Sequence, residues 1–294
     1  MNIHNLSLKM KQALTIFKEV KNPVSSYLFY MGKSNEINVK TKKIGSFTFN
    51  KDQKKLFNVF LTALPYLKKE DEEECKIFFN QYLNNQSVLD LNDYKVIRDE
   101  CYIFAEKWAQ FPYNFKKISE GDIIIDIGAN VGDTPLEFAS MGLTVYGFEP
   151  VKELYDISLK NLNLNPHFEN RIYLFNNAVS YKKGTITIDS LGSVGGYIDE
   201  EQYDVDVITI DDIIKENNIK PRLLKMDCEG CEFDIIRNSD LSMFDEIIFE
   251  HHASFRDENY SDLVDILKKQ GFDIDLIPLW SFKMDDVGII HAYK

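Results

Sequence analysis

Short apolar runs alternate with segments of helical periodicity from residue 121 onwards. Asp122–Gly128 and Leu143–Phe148 are apolar runs of the kind that forms buried parallel strands. Further strands are predicted at Arg171–Phe175, Thr185–Ile188, Val205–Ile210, Leu223–Met226, Ile247–Phe249, Phe272–Leu279 and Val287–Tyr293. Helices are predicted at Thr134–Met141, Val151–Leu164, Asp211–Asn217, Glu232–Asn238 and Ser261–Gln270. The alternation predicts a doubly wound α/β sheet, and the last two strands, joined without a helix, predict an antiparallel edge pair.

The first third of the chain gives weaker patterns, and most of them are helical. Apolar residues have helical spacing at Leu6–Val20, Leu56–Leu67 and Tyr94–Phe111, and they alternate as in a strand at Ile44–Phe49. We therefore expect a mainly helical N-terminal extension over residues 1–115 and an α/β domain over residues 116–294.

The net charge of −13 is distributed unevenly along the chain. Met1–Lys54 holds ten lysines and three acidic residues, which gives this segment +7 and leaves −20 for the remainder. So acidic a remainder argues against a nucleic-acid partner, because phosphates would repel it. The favoured interpretation of the basic segment is that it lies against the acidic remainder or is solvated. Contact with a membrane surface or an anionic substrate is the alternative.

The sequence predicts a cytoplasmic protein without an integral membrane segment. No apolar run reaches the length of about 18 residues that a membrane-spanning helix needs. The early apolar stretches are interrupted by lysines, so a signal peptide is not expected. Four cysteines in 294 residues do not suggest a disulfide scaffold, which fits a reducing compartment.

A glycine loop directly follows the first predicted strand of the α/β domain. Its sequence is Asp126-Ile-Gly-Ala-Asn-Val-Gly-Asp133, and it leads into a predicted helix. Gly128 allows a sharp backbone turn, and Gly132 allows a ligand or a strand to approach the start of the helix. Ligands of open α/β sheets bind outside the carboxyl ends of the strands. The alternative is a tight turn that binds nothing.

Glu149 ends the next strand and narrows the choice of ligand. A carboxylate at this position can accept hydrogen bonds from both hydroxyls of a ribose. A nicotinamide cofactor would require Gly-x-Gly-x-x-Gly, and the loop lacks this spacing. We therefore expect a nucleoside ligand without a diphosphate, of which S-adenosylmethionine is the commonest.

Five short motifs stand out between about Gly121 and Phe272, and they are Ile125–Asp133, Gly147–Pro150, Asn177–Val179, Leu224–Glu232 and Phe249–His252. In these motifs this part of the chain resembles the FkbM family of methyltransferases. The resemblance implies a Rossmann-like methyltransferase sheet and methylation of an oxygen, often a hydroxyl of a sugar or secondary metabolite. It implies that the methionine part of the cofactor lies near Asp126, Gly128 and Asn130, the ribose on Glu149, and the adenine beside Asn177 and Ala178. The candidate cofactor-binding residues are Asp126, Gly128, Asn130, Gly132, Asp133, Glu149, Pro150, Asn177 and Ala178.

Three carboxylates follow the strand Leu223–Met226. We expect Asp227 and Glu229 to face the transferred methyl group and to bind the acceptor, a cation, or both, since hard oxygen ligands suit Mg²⁺ or Ca²⁺. Glu232 is expected only to cap its helix. No tightly bound metal is predicted, because the sequence does not show that the carboxylates converge.

The next strand ends in Glu250-His251-His252. An imidazole at the crevice could remove the acceptor's proton, and His252 is the better candidate because it matches the family's Glu-x-His spacing. The candidate catalytic residues are Asp227, Glu229, Glu250 and His252.

Two further features have simpler interpretations. Cys228 and Cys231 form Cys-x-x-Cys, but there is no second pair for zinc, and acidic neighbours disfavour a thiolate. Ser190–Gly196 is glycine-rich and is either a loop that closes over the acceptor or a surface connection.

These observations predict methyl transfer to a hydroxyl of a glycan or small metabolite. One alternative is an NAD-dependent dehydrogenase, which the absence of Gly-x-Gly-x-x-Gly disfavours. The other is a non-catalytic methyltransferase-like binding module, which the intact set of Asp126, Gly128, Glu149 and Asp227 disfavours. The acceptor and the oligomeric state are not predicted.

Overall fold

The computed structural model describes residues 8–83, 88–91, 93–97, 115–189, 202–253, 258–279 and 284–294. The chain forms two compact units. The first comprises Met1–Asn92, Val96–Asn114 and Pro278–Met284, and the second comprises Asp93–Lys95, Phe115–Ile277 and Asp285–Lys294. The predicted glycine-rich loop Ser190–Gly196 and most of the predicted helix Tyr94–Phe111 lie outside the described residues.

The first unit combines helices with short strands. Its described helices are α1 (Leu8–Glu19), α2 (Pro23–Tyr30), α3 (Lys54–Ala63) and α4 (Glu72–Leu83). Its strands are β1 (Glu36–Lys40) and β2 (Ser46–Asn50), which pair antiparallel, and β3 (Val88–Asp90), which pairs with β4 (Lys95–Ile97). Phe47 and Phe49 of β2 pack on Phe60 and Phe79 with ring centroids 5.0–5.6 Å apart. Strand β1 was not predicted, because only two apolar residues alternate in it.

The second unit is built on a seven-stranded sheet with the order β13-β14-β12-β11-β5-β6-β7. The strands are β5 (Ile123–Ile127), β6 (Thr144–Phe148), β7 (Ile172–Phe175), β11 (Leu223–Met226), β12 (Glu246–His251), β13 (Asp273–Pro278) and β14 (Gly288–Tyr293). Neighbouring strands from β12 to β7 are parallel, and β14 runs antiparallel to β12. The predicted doubly wound methyltransferase sheet is confirmed.

Helices connect these strands and cover the sheet. They are α5 (Asp133–Ser140), α6 (Lys152–Asn163), α7 (Ile210–Asn217), α8 (Cys231–Asn238) and α9 (Tyr260–Lys269). Every residue of β11 and β12 is buried, as in a sheet that is covered on both faces. No helix within the described ranges is long and apolar enough to cross a membrane.

The second unit also contains a separate three-stranded sheet, whose strands lie between β7 and β11 in the sequence. In it, β10 (Gln202–Ile208) pairs in parallel with β8 (Ala178–Val179) and antiparallel with β9 (Gly184–Asp189). Ala178 belongs to the small apolar core of this sheet, with Val151, Val205 and Val207. The two strands predicted between residues 185 and 210 therefore do not extend the main sheet.

The order of the main sheet creates a crevice. The chain proceeds from β5 outwards to β6 and β7, and then returns to β11 on the other side of β5, so the winding direction reverses there. In the register of the sheet, Ile127 pairs with Phe148 on one side and with Met226 on the other. Met226 in turn pairs with Phe249. Because these strands end together, the segments that follow them meet at the same edge, where α/β proteins bind ligands.

Candidate active site

Gly128 brings two of these segments into backbone contact. Its φ of +82° is in the left-handed region, and a Cβ atom there would lie 1.8 Å from the carbonyl oxygen of Asp227. The amides of Gly128 and Ala129 donate to the carbonyl oxygen of Phe148, at 2.9 and 3.0 Å. Only glycine therefore fits at residue 128, and it places the loop after β5 against the loop after β11.

Glu149 ties the glycine loop to the end of β6. One carboxylate oxygen accepts from the Asn130 amide and the other from the Val151 amide, both at 2.8 Å. Burial raises the pKa of Glu149, although these two donors oppose the rise. The side-chain amide of Asn176, which the sequence did not identify, donates to the carbonyls of Glu149 and Pro150 at 2.9 Å. Glu149 is thus held rigidly, and each oxygen keeps a second lone pair.

The other predicted cofactor residues occupy different environments. A Cβ atom at Gly132 would lie 2.9 Å from the Cβ of Ser158, so this glycine allows helix α6 to approach rather than a ligand. Asp133 is buried at the start of α5, and Ala178 is buried in its small core. Asn177 is half-buried, and its side-chain amide donates to the Asp206 carbonyl at 3.4 Å.

A buried ion pair underlies the loop. The ammonium of Lys225 lies 2.9 Å from Asp126 Oδ1 and donates to the Gly128 carbonyl at 3.0 Å, and both side chains are at most 2% exposed. Burial alone would lower the pKa of Lys225, but the charges of Asp126 and Asp227 raise it above its usual value. Lys225 therefore joins the glycine loop to β11. Lys225 was not predicted as a site residue, because a single lysine in a strand pattern does not reveal its partner.

His252 lies at the centre of a group of carboxylates. Its Nε2 is 3.4 Å from oxygens of Glu229 and Glu250, and its Nδ1 is 3.5 Å from Glu232. Burial alone would lower the pKa of His252, but hydrogen bonds to Glu232 and Glu250 and the charge of Glu229 outweigh it and raise the pKa to about 11. His252 is therefore an imidazolium at neutral pH. His251, in contrast, stacks on Tyr260 with centroids 4.9 Å apart.

Glu232 was predicted only to cap its helix, but the structure shows that it also makes contacts beyond the helix. Its carboxylate accepts from the Gly230 amide at 2.9 Å and from the His252 amide at 3.1 Å, and it is fully buried. It joins the loop after β11 to the end of β12. Glu232 thus fixes the position of the imidazolium, and it belongs to the site as a positioning residue.

The pKa of the Asp227 carboxylate lies close to neutral pH. Burial raises its pKa to about 7, assisted by the charges of Glu250 and Glu229 and opposed by Lys225 and His252. A group with such a pKa can exchange protons near pH 7. All four candidate catalytic residues, Asp227, Glu229, Glu250 and His252, lie in this cluster.

The same cluster contains atoms suited to a cation. Ligand atoms of Asp227, Glu229 and His252 lie within 4.8 Å of one another. A protonated imidazole has no free nitrogen lone pair, so His252 cannot bind a metal in this state. The absence of a tightly bound metal stays a prediction.

Cys228 and Cys231 form a disulfide, contrary to the interpretation from the sequence. The two residues between them, Glu229 and Gly230, have positive φ values of +54° and +115°. This double left-handed turn brings the cysteine Cα atoms to 5.5 Å, within the range that a disulfide spans. The disulfide therefore closes the turn that carries Glu229.

The FkbM methyltransferase domain model matches residues 126–274, which are 149 of the 294 residues and just over half of the chain. The chain belongs to the FkbM methyltransferase family. The match confirms the resemblance seen in the motifs and includes every candidate residue of the site. No curated protein matches the sequence.

Solved structures of low sequence identity are also similar. An FkbM methyltransferase from Methylobacillus flagellatus is 17% identical over 82% of this chain and 60% of its own, with a TM-score of 0.44. Fibrillarin from Aeropyrum pernix with bound S-adenosyl-L-methionine is 16% identical over 59% of this chain and 67% of its own, with a TM-score of 0.38. This chain thus spans three fifths of the length of the M. flagellatus protein.

Proposed function

We propose that this FkbM-family protein transfers a methyl group from S-adenosylmethionine to a hydroxyl oxygen of a sugar, a glycan or a small metabolite. One observation carries the proposal. Gly128 puts the nucleotide-type loop after β5 in backbone contact with Asp227, whose carboxylate has a pKa near neutrality. A cofactor loop and a proton acceptor thus share one edge of the sheet.

The residues of the crevice fit this cofactor. S-adenosylmethionine has a sulfonium and an ammonium but no phosphate, and when bound it supplies an activated methyl group. Its positive charges suit an edge where Asp227, Glu229 and Glu250 gather, whereas a diphosphate would be repelled. Glu149 would accept from the ribose hydroxyls with its remaining lone pairs. Asp126 would lie near the methionine part, and its Oδ2 accepts no hydrogen bond from the described residues.

Asp227 is the proposed base. In methyl transfer to a hydroxyl, the protein must align the acceptor oxygen and take up its proton. The sequence favoured His252 for this role, but an imidazolium held by Glu229, Glu232 and Glu250 has no site for another proton. We therefore assign to His252 the task of holding the carboxylates together. Asp227 receives the proton.

The rate of methyl transfer is expected to rise with pH, to reach half of its plateau near pH 7 and to level off about one unit higher, since Asp227 accepts a proton only as a carboxylate and its pKa is about 7. The measurement is transfer of labelled methyl from S-adenosylmethionine to components of an extract of the source cells, followed by identification of the labelled product. A rising limb that disappears in His252→Gln but persists in the residual activity of Asp227→Asn would assign the base to His252 instead.

Control measurements separate the rival functions. A dehydrogenase would change nicotinamide absorbance and would transfer no label, and a binding module would bind S-adenosylhomocysteine without turnover at any pH. We expect a chelator to leave the rate unchanged, because His252 already supplies positive charge to the cluster. Loss of activity that Mg²⁺ restores would mean that Asp227 and Glu229 hold a cation.

A further inference from the structure

Helix α1 presents three large apolar side chains to solvent and buries three polar ones. Met10, Leu14 and Phe17 are 39–53% exposed and recur at the spacing of one helix face. The opposite, inward face includes Lys11, Gln12 and Thr15, each at most 5% exposed. Ile16 is buried as well, and Lys9 and Lys18 are exposed, but three outward apolar and three inward polar side chains depart from the usual pattern of a surface helix.

Hydrogen bonds hold the polar face of α1 in this orientation. The side-chain amide of Gln12 donates to the Asn58 carbonyl at 3.1 Å and to the Thr62 hydroxyl at 3.3 Å, both on α3. The Tyr30 hydroxyl donates to the side-chain oxygen Oε1 of Gln12 at 3.1 Å. Turning α1 over would break all three bonds, so its outward apolar face is built into the first unit.

Helix α2 extends the same kind of face. Val24, Leu28 and Met31 are 47–69% exposed and also recur at helical spacing. Phe17 of α1 contacts Tyr27 of α2 with ring centroids 5.7 Å apart, so the two faces are adjacent. We name the six residues Met10, Leu14, Phe17, Val24, Leu28 and Met31 the α1–α2 face. Six large apolar side chains, five on two neighbouring short helices and Met31 directly after α2, are more than the scattered exposure that needs no explanation.

The charges around the face are positive. Residues 8–33 include five lysines and one acidic residue, Glu19, which pairs with Lys43 at 3.4 Å. The lysines at positions 9, 18, 21 and 33 are exposed and adjoin the apolar residues in the chain. Helices with an outward apolar stripe and flanking lysines bind membrane interfaces that contain anionic lipids.

We propose that the α1–α2 face docks on a membrane surface rich in anionic lipid, with its apolar side chains inserted among the headgroups and its lysines on the lipid phosphates. A symmetric contact with a second copy is disfavoured, because it would bring two identical sets of lysines together. The proposal is independent of methyl transfer. It implies a peripheral association and requires no membrane-spanning helix.

The test is cosedimentation of the full chain with vesicles of phosphatidylcholine alone or with about 30 mol% phosphatidylglycerol. We expect the protein to bind only the anionic vesicles and to be released by high salt. Phe17→Ser/Leu28→Ser is expected to lower the partition coefficient at least about tenfold, because two inserted side chains are lost. The matched control, Met243→Ser/Leu276→Ser, removes two residues of similar exposure, 44% each, from the second unit. The control is expected to stay within about twofold of the unmodified chain.

A second pair of variants tests the charges. Lys18→Glu/Lys21→Glu is expected to weaken binding at least about tenfold, whereas Lys182→Glu/Lys220→Glu, at exposed positions of the second unit, is expected to have less effect. Because all these positions are exposed, melting curves should match that of the unmodified chain. The proposal is wrong if the unmodified chain ignores anionic vesicles, or if Phe17→Ser/Leu28→Ser binds them normally. It is also wrong if that variant instead converts a dimer to a monomer in light scattering.

Discussion

Asp227→Asn is expected to lower the rate of methyl transfer by about 10²–10⁴-fold, the usual contribution of a positioned base. The amide keeps the size of the carboxylate and the backbone contact with Gly128, but it cannot accept the proton of the acceptor. The affinity for S-adenosylhomocysteine is expected to change by less than about tenfold, because Asp227 acts on the second substrate. Labelled-methyl transfer at saturating cofactor measures the first effect, and calorimetry measures the second.

A matched control makes this result specific. Asp211→Asn removes an exposed carboxylate at the start of α7, outside the cluster around His252, and should leave both quantities unchanged. Equal loss of cofactor binding and turnover in Asp227→Asn would place Asp227 in the cofactor pocket. An unchanged rate would remove it from the chemistry altogether.

Lys225→Met is expected to lower the free energy of unfolding by about 3–5 kcal/mol, because Asp126 would keep a fully buried charge without its partner. The glycine loop would also lose the hydrogen bond from Lys225 to the Gly128 carbonyl. Chemical denaturation followed by circular dichroism measures the loss, and cofactor affinity should fall with it.

The double variant Asp126→Asn/Lys225→Met decides whether charge is the cause. It removes both members of the pair, so we expect it to be more stable than Lys225→Met alone. If the double variant is as unstable as the single one, lost packing rather than an unpaired charge explains the effect. A cost below about 1 kcal/mol for Lys225→Met would show that the ion pair does not hold the loop.

Local pattern and loop chemistry were sufficient to predict the main sheet and much of its crevice. Gly128 was identifiable because a strand-to-helix turn restricts the backbone there, and Glu149 because it ends the next strand. Both properties are local in the sequence. Strand β1 escaped prediction because Ile37 and Val39 alone give a weak alternation.

The interactions that organise the site are not local, and they escaped prediction for that reason. Lys225 pairs with Asp126 only because β11 returns to lie beside β5. Glu232 reaches the His252 amide across two loops, so its sequence context suggested only a helix cap. The protonation of His252 likewise follows from three carboxylates that the fold assembles, whereas the sequence shows a histidine at a strand end.

Titration of S-adenosylhomocysteine into the purified chain tests the central claim most directly. We predict one-site binding, with no heat from NAD⁺, and a loss of about 1–3 kcal/mol of binding free energy in Glu149→Ala, where charge-assisted bonds to the ribose are removed. Val151→Ala, at the other end of a Glu149 hydrogen bond, keeps its backbone donor and serves as the control. Binding of NAD⁺ in place of S-adenosylhomocysteine, or an unchanged affinity in Glu149→Ala, would contradict the account.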